Sequence, residues 1–246
     1  MRQKIVAGNW KMNLKPSETK AFIESFKGKF TSDAQVVFCV PFTNIQAAVA
    51  AVSGTSWAVA AQNMNENENG AYTGEINADQ LSDLGVKYVV IGHSERRQYY
   101  NETDESVNKK TLTALKAGLI PIVCVGEVLE EREKGVTLAV VSTQIKAALA
   151  GVTADQVKGL IIAYEPVWAI GTGKVATNDQ AEEVCKDIRE GVAKLYDQAT
   201  ADALRIQYGG SVNGANAAEI FSMPNIDGGL VGGASLKAEF ADVVNG

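Results

Sequence analysis

The stretch "LIIAYEPVWAIGTGKVATND", residues 160–179, begins as a strand and ends as the start of a helix. Its first residues form an apolar run, and Thr177 and Gln180 fit a capping box at a helix N-terminus. The connection between them is rich in glycine and leaves the apolar run through one carboxylate, Glu165. Connections in α/β units usually need only ~2–6 residues. We therefore expect a strand, a functional loop and a helix, in that order.

The same succession of apolar run and helical pattern continues in both directions along the chain. Helical spacing of apolar residues is found over 16–28, 103–118, 138–149 and 177–195. The apolar runs are continuous rather than alternating, as expected of parallel strands that are covered on both faces. These runs are "KIVAGNW" (4–10), "QVVFCV" (35–40), "WAVAAQ" (57–62), "YVVIGH" (88–93), "IPIVCVGE" (120–127), "LIIAYE" (160–165), "LRIQYGG" (204–210) and "GGLVGG" (228–233).

Eight strand-like runs, each followed by a helical or potentially helical segment, predict an α/β fold with a closed (β/α)8 barrel. An open, doubly wound sheet is permitted by the same alternation. The number of strands favours the barrel, and no GxGxxG motif follows the first strand. No linker, repeat or low-complexity tract divides the chain, so we expect residues 1–246 to form a single domain.

The composition excludes several classes of function. A net charge of −6 gives no electrostatic support for nucleic-acid binding. No apolar stretch approaches the ~20 residues needed to cross a bilayer, and "MRQKIVAGNW" at the start lacks the apolar run of a signal peptide. Cys39, Cys124 and Cys185 are widely spaced, which favours free, buried thiols in a reducing cytoplasm. With one histidine and no cysteine pair, we expect no metal site.

Polar residues and glycines follow five of the predicted strands. Because the functional face of such a barrel lies at the carboxyl ends of its strands, these residues are expected to meet on one rim. Each has an ordinary alternative: a structural histidine, a solvated lysine or a plain glycine turn. Their coincidence on one rim favours a functional site. The groups are Asn9 and Lys11, His93 to Glu95, Glu165, Gly209 to Ser211, and Gly232 with Gly233.

This set of residue types is suited to one kind of chemistry. Glycine-rich turns after the seventh and eighth strands can present backbone N–H groups to an anion such as a phosphate. A carboxylate, a histidine and a lysine around a phosphate-anchored ligand can abstract a proton next to a carbonyl group.

Five motifs, in order along almost the whole chain, resemble those of the triosephosphate isomerase family. They are "AGNWKMN" (7–13), "IGHSERR" (91–97), "AYEPVWAIGTGK" (163–174), "YGGSV" (208–212) and "LVGGASL" (230–236). The resemblance implies a TIM barrel that interconverts dihydroxyacetone phosphate and D-glyceraldehyde 3-phosphate through an enediolate, a step of glycolysis and gluconeogenesis. It also implies that no metal or organic cofactor is needed.

The resemblance implies roles for five side chains. Glu165 would shuttle a proton between C1 and C2, and His93 would be a neutral imidazole that hydrogen-bonds the substrate oxygens. Lys11 would supply positive charge, Asn9 a further hydrogen bond, and Glu95 corresponds to the second acidic position of the family.

The resemblance further implies a phosphate site and a closing lid. Backbone N–H groups of Gly171, Ser211, Gly232 and Gly233 would hold the phosphate. Hinges would lie at 166–168 and 174–176, on either side of the lid tip. The lid would comprise Pro166, Val167, Trp168, Ala169, Ile170, Gly171, Thr172, Gly173, Lys174, Val175 and Ala176.

The family resemblance also implies a homodimer. The loop at 62–75, with Thr73 at its tip, would reach into the site of a second copy. Two departures from the family pattern, a short final helix and a second glycine in the last strand, Gly229, lead us to expect weaker barrel closure or lower stability.

Two alternatives to an active isomerase stay open at this point. A non-catalytic phosphate-binding barrel would keep the glycines but lack Glu165, His93, Lys11 or Asn9, all of which are present. Another barrel enzyme acting on a phosphorylated sugar cannot be separated by fold alone, but the segment "YEPVWAIGTGK" argues against it.

Overall fold

Eight parallel strands close into a barrel in the order of the chain, in a computed structural model that describes residues 2–172 and 174–246. This arrangement confirms the predicted closed (β/α)8 fold. Each strand is hydrogen-bonded to its sequence neighbours, and the last pairs with the first. The strands are β1 (Ile5–Asn9), β2 (Gln35–Val40), β3 (Ala58–Ala61), β4 (Tyr88–Ile91), β5 (Ile120–Val125), β6 (Ile161–Tyr164), β7 (Arg205–Tyr208) and β8 (Gly228–Val231).

Both faces of the barrel sheet are buried, which accounts for the continuous hydrophobicity of the strands. Ala7 belongs to a cluster inside the barrel, whereas its neighbour Val6 belongs to the layer between the sheet and the helices. Cys39 and Cys124 lie in the inner cluster, and Cys185 lies in the outer layer. All three thiols are free and buried.

Helices cover the outside of the barrel between successive strands. The predicted capping box is present, because Thr177 Oγ1 accepts from the N–H of Gln180 at 3.2 Å and Gln180 Oε1 accepts from that of Thr177 at 3.0 Å. Short 3-10 turns occupy Phe42–Asn44, Val167–Ala169 and Gly233–Leu236. The α-helices are α1 (Pro16–Glu24), α2 (Ile45–Val52), α3 (Ala78–Asp83), α4 (Ser94–Tyr100), α5 (Asp104–Lys116), α6 (Leu129–Glu133), α7 (Thr137–Ala148), α8 (Ala154–Gly159), α9 (Asn178–Leu195), α10 (Gln198–Ala203), α11 (Ala217–Phe221) and α12 (Phe240–Asn245).

Every predicted apolar run contains a strand, and most of the strands end before the run does. The strands end at Tyr164, Tyr208 and Ile91, although the runs extend to Glu165, Gly210 and His93. The last residues of these runs instead belong to the loops of the rim.

The barrel is closed between β8 and β1 despite the two departures noted in the sequence. Four residue pairs join these strands, from Ile5 with Gly228 onward, whereas β7 and β8 share only the pair of Tyr208 with Gly229. A Cβ atom at Gly229 would lie 3.0 Å from the ring of Phe221, so the glycine lets α11 pack against the sheet. The final helix is short, as expected. An effect on stability remains a prediction.

Within residues 2–172 and 174–246, no helix combines the length and hydropathy needed to cross a bilayer.

Candidate active site

A cavity of about 600 Å³ opens at the carboxyl ends of the barrel strands. The lining includes residues from loops after β1, β4, β6, β7 and β8, so the predicted convergence on one rim is observed. Glu165 and His93, which can act as base and electrophile, line the same cavity as the glycine-rich backbone after β7 and β8. The sequence-predicted residues in this lining are Asn9, Lys11, His93, Glu165, Gly171, Ser211, Gly232 and Gly233.

Glu165 follows β6 directly, and its backbone N–H donates to Val125 O at 2.8 Å, which continues the sheet ladder by one bond. The side chain is only 2% exposed. Its Oε2 accepts from the Ser94 N–H at 3.0 Å, and its Oε1 lies 3.2 Å from Ser94 Oγ and 3.0 Å from His93 Nε2. Burial raises the pKa of this carboxyl, but the interactions with His93 and Ser94 prevail and lower it below its ordinary value.

His93 immediately precedes α4 and is 6% exposed. The backbone N–H of Glu95 donates to His93 Nδ1 at 3.2 Å, so the proton of a neutral ring is on Nε2, which faces Glu165. Burial and Lys11 lower the pKa of the imidazole, whereas Glu165 and Glu95 raise it. With Glu165 in contact, the pKa of His93 is raised above its ordinary value. Whether this pKa is raised or lowered therefore depends on the distance between the Glu165 carboxylate and the imidazole.

The peptide groups of Gly92, the residue before His93, are held by two charged side chains. The Gly92 N–H donates to Glu102 Oε2 at 2.9 Å, and its carbonyl accepts from Arg97 Nε at 2.9 Å. Lys110 donates to the same Glu102 carboxylate from a buried position. Gly92 has a φ of +73°, a conformation that side-chain-bearing residues rarely adopt. The turn into His93 is therefore fixed on both sides.

Lys11 lines the same cavity and has a backbone φ of +53°. Its N–H donates to Asn9 Oδ1 at 3.0 Å. Its ammonium lies 2.5 Å from Glu95 Oε1, and this ion pair restrains the position of the ammonium group. Glu95 itself does not line the cavity.

The predicted anion site lies beside Lys11. A side chain at Gly233 would meet open space, and a Cβ atom at Gly232 would lie 3.6 Å from Lys11 Cε, so this backbone borders the cavity. Ser235 Oγ donates to Gly232 O at 2.7 Å and fixes the turn after β8. Ser211 contributes a second stretch of backbone from the loop after β7.

The predicted lid at 166–176 is anchored near its start, and Gly173 lies outside the described residues. Trp168 Nε1 donates to Glu127 Oε1 at 2.8 Å, and the backbone N–H of Val167 donates to Glu127 O at 3.1 Å. Thr172 Oγ1 donates to Trp168 O at 2.8 Å. The lid tip thus borders the cavity while its first turn is fastened to the loop after β5.

Comparison of the sequence with known proteins points to one family. A sequence model of the triosephosphate isomerase family matches residues 4–246.

The chain belongs to the triosephosphate isomerase family.

Individual relatives in the family cover this chain almost completely. The triosephosphate isomerase of Acetivibrio thermocellus is 60% identical over 97% of this chain and 95% of its own. That of Carboxydothermus hydrogenoformans is 52% identical over 100% and 99%. The triosephosphate isomerase of Lactiplantibacillus plantarum is 53% identical over 100% and 98%. The sequence resemblance is therefore confirmed.

Some sequence-predicted residues do not line this cavity. Thr73 sits on an exposed loop, and Glu95 and part of the predicted lid also lie outside the lining. Among the described residues, no group of three His, Cys, Asp or Glu side chains could hold a metal ion.

Two polar residues near the site, Gln62 and Glu127, were not singled out from the sequence, and Ser94 was named only as a member of the group after the fourth strand, without a role of its own. Ser94 holds Glu165, Glu127 holds the lid, and Gln62 contacts the loop that carries Lys11. Gln62 and Glu127 end the apolar runs "WAVAAQ" and "IPIVCVGE", and Ser94 directly follows one. A polar residue at the carboxyl end of a barrel strand is the signal that would have identified them.

Proposed function

We propose that this chain catalyses the reaction of its family, the interconversion of dihydroxyacetone phosphate and D-glyceraldehyde 3-phosphate. The observation that carries the proposal is the placement of Glu165 and His93, 3.0 Å apart, on the wall of a cavity bordered by glycine-rich backbone. Glu165 removes a proton from C1 and returns it to C2 after an enediolate forms. The substrate and product contain the same atoms, so the reaction consumes no oxidant or reductant.

Glu165 has to leave its observed partners before it can act on a carbon atom. Its oxygen atoms accept from the Ser94 N–H and hydroxyl and lie against His93 Nε2, which stabilises the charged carboxylate at rest. A base with a lowered pKa is ionised at neutral pH and ready to accept a proton.

His93 acts as a neutral hydrogen-bond donor to the substrate oxygens. The Glu95 N–H occupies Nδ1 and leaves the ring proton on Nε2, which faces the cavity. When Glu165 moves toward the substrate, a charge that raises the pKa of His93 moves away, whereas burial and Lys11 continue to lower it. The neutral form is therefore favoured at the step in which it is needed.

Lys11 and Asn9 stabilise negative charge on the substrate, and Glu95 keeps the ammonium in place. The phosphate dianion is held by backbone N–H groups of Gly171, Ser211 and the Gly232–Gly233 turn. Several fixed donors at one anion give strong binding because they require little reorganisation.

The loop at 166–176 closes over the bound phosphate. Its tip already borders the cavity, and its buried ends at Pro166 and Ala176 restrict the motion to the segment between them. Closing excludes water, which suppresses loss of phosphate from the enediolate. The hydroxyl of Tyr208 is buried near the lid without a partner among the described residues, and a closed lid can supply one.

We also propose that residues 1–246 act as one barrel domain, that the chain forms a homodimer, and that it resides in the cytoplasm. The loop bearing Thr73 supports the dimer, because it is exposed and Tyr72 beside it is a large exposed apolar residue. The three buried, free cysteines support a reducing compartment.

Replacement of the base tests the proposed reaction. Glu165→Gln keeps the shape of the side chain but cannot accept a proton, so we expect it to lower kcat by at least ~10²-fold with little loss of folded protein. Isomerisation of glyceraldehyde 3-phosphate is followed by coupling the product to a dihydroxyacetone phosphate reductase. The matched control is Glu130→Gln, on the exposed first turn of α6. Native turnover in Glu165→Gln would refute the assignment of the base, and no isomerase activity in the native chain would favour a phosphate-binding barrel.

A further inference from the structure

Gln62 links three loops or strands at the rim through a single amide group. It directly follows β3, and its Nε2 donates to Lys11 O and to Cys39 O, both at 2.9 Å. The same nitrogen lies 3.3 Å from Asn9 Oδ1. The side chain thus joins the end of β3 to β2 and to the loop after β1.

The backbone that Gln62 contacts is in a conformation that needs support. Lys11 has a φ of +53°, in the left-handed region that residues other than glycine rarely adopt. Such a conformation persists where surrounding contacts over-determine it. Here Asn9 Oδ1 accepts the Lys11 N–H at 3.0 Å, and Gln62 binds the Lys11 carbonyl. Lys11 is therefore held on both sides of its Cα atom.

The backbone conformation of Lys11 decides where its ammonium can reach. From this position Lys11 Nζ contacts Glu95, and its Cε lies 3.6 Å from the place of a Cβ atom at Gly232. If the loop after β1 relaxed to an ordinary φ, the Cα–Cβ bond would turn away from the cavity. A charge that has moved by about 1 Å can lower a rate by ~10²-fold.

We infer that Gln62 is a positioning residue for catalysis, which holds Lys11 in its left-handed conformation and orients Asn9. Gln62 does not line the cavity and acts only through these two residues. The inference rests on the proposed function, because it matters for the reaction only if Lys11 serves the phosphorylated substrate.

The alternative is that the amide only ties strands together, and the chain offers a control for that role. Gln35 Nε2 donates to Val36 O at 3.1 Å and to Ser56 O at 2.9 Å. It makes the same kind of bond as Gln62 but lies at the start of β2, at the opposite end of the barrel. Gln35→Met and Gln62→Met therefore remove similar bonds and differ in their distance from the site.

The experiment compares steady-state kinetics of the full chain with both variants. For Gln62→Met we expect kcat/KM for glyceraldehyde 3-phosphate to fall about 10- to 100-fold, with a raised KM and weaker inhibition by inorganic phosphate. Gln35→Met should keep the native KM and phosphate inhibition. A purely structural role of Gln62 would lower the folded fraction, and with it the apparent kcat, at unchanged KM. That result would overturn the inference.

A double-mutant cycle with Lys11→Ala completes the test. If Gln62 acts through Lys11, adding Gln62→Met to Lys11→Ala should leave the affinity for inorganic phosphate, measured by calorimetry, unchanged within about twofold. Full additivity of the two losses would overturn the inference. If Lys11→Ala alone kept native kinetics, the proposed role of Lys11 would fail instead. Should Gln62→Met not fold, Gln62→Glu, which keeps the shape but removes the N–H donors, is measured in the same way.

Discussion

Two buried carboxylates that follow neighbouring strands have pKa values shifted in opposite directions. Glu165, after β6, meets the Ser94 N–H, the Ser94 hydroxyl and His93, and its pKa is lowered. Glu127, beyond β5, is fully buried and its pKa is raised, chiefly by burial. Its Oε1 accepts from Trp168 and Tyr164, but Oε2 has no partner among residues 2–172 and 174–246. The interaction with His93, together with the Ser94 donors, makes Glu165 the more easily ionised of the two, whereas burial prevails at Glu127.

The raised pKa of Glu127 predicts a pH-dependent cost to stability. A carboxyl whose folded pKa exceeds its ordinary value of 4.5 favours the folded state below that value, and this stabilisation is lost as pH rises through the folded pKa. As pH rises from about 4.5, we expect the free energy of unfolding of the native chain to fall relative to that of Glu127→Gln. The total fall is ~1.4 kcal/mol for each pH unit by which the folded pKa exceeds the ordinary one. Urea unfolding at several pH values measures it. Glu133→Gln, on the exposed surface of α6, is the control; a pH-independent difference for Glu127→Gln would contradict the prediction.

The roles of single residues were only partly predictable from the sequence. Glu165, His93 and Lys11 were identifiable because each breaks an apolar pattern at a strand end or belongs to a specific motif. The partners that set their geometry were not. Gln62 contacts Lys11 across 51 positions of sequence, and no local pattern reveals such a contact.

At the scale of elements, α4 and α5 form the frame that holds the turn before His93. Glu102, between these helices, binds the Gly92 N–H and is paired with Lys110 of α5 and with Arg96 of α4. Lys110 Nζ also donates to Asn63 Oδ1 at 2.9 Å. Burial raises the pKa of the Glu102 carboxyl, but Lys110 and Arg96 lower it further than burial raises it.

Removal of the Glu102 charge should destabilise this frame. Glu102→Gln leaves the Lys110 ammonium buried without its counter-charge, at a cost of about 3–5 kcal/mol at neutral pH. Because the folded pKa of Glu102 is lowered, the native chain is more stable than Glu102→Gln above about pH 4.5. This difference in the free energy of unfolding disappears as pH falls through the folded pKa. Chemical unfolding at pH 7 and at acidic pH checks both statements. Glu105→Gln, in an exposed pair with Lys109, should change nothing measurable, and an equal loss in both variants would refute the frame.

The strands and long helices were predictable because their patterns are long enough to show a period. The buried strands read as continuous apolar runs, and α5, α7 and α9 contain enough turns for helical spacing to be visible. Short helices such as α6, with five residues, span little more than one turn and show no period. The ends of strands were overestimated because the pattern of an apolar run does not indicate where pairing stops.

At the scale of the whole molecule, large apolar side chains are exposed around the rim that carries the loop at 62–75. Met12 is 95% exposed, although it lies next to Lys11, and Phe42 and Tyr72 are also exposed. Exposed apolar side chains that cluster on one face are typical of an interaction surface. A second copy of the chain, related by twofold symmetry, would cover the same residues on both partners.

We expect a dimer at micromolar concentration, and we expect Met12→Glu to dissociate it by placing a charge in the interface. Sedimentation velocity and the concentration dependence of activity measure both. Leu195→Glu, at the end of α9 and 43% exposed, is the control and should stay dimeric. A native chain that sediments as a single monomer with full activity would refute the partner-loop proposal.

The three buried thiols report on how the two layers of the molecule open. Cys39 and Cys124 lie inside the barrel, and Cys185, on α9, lies in the layer between the sheet and the helices. An alkylating reagent can react with them only in conformations that expose the sulfur atom, because burial raises the pKa of each thiol. The order in which they are labelled over time therefore distinguishes loss of a helix from rupture of the barrel. The labelling rates of the three thiols thus report local unfolding of each layer.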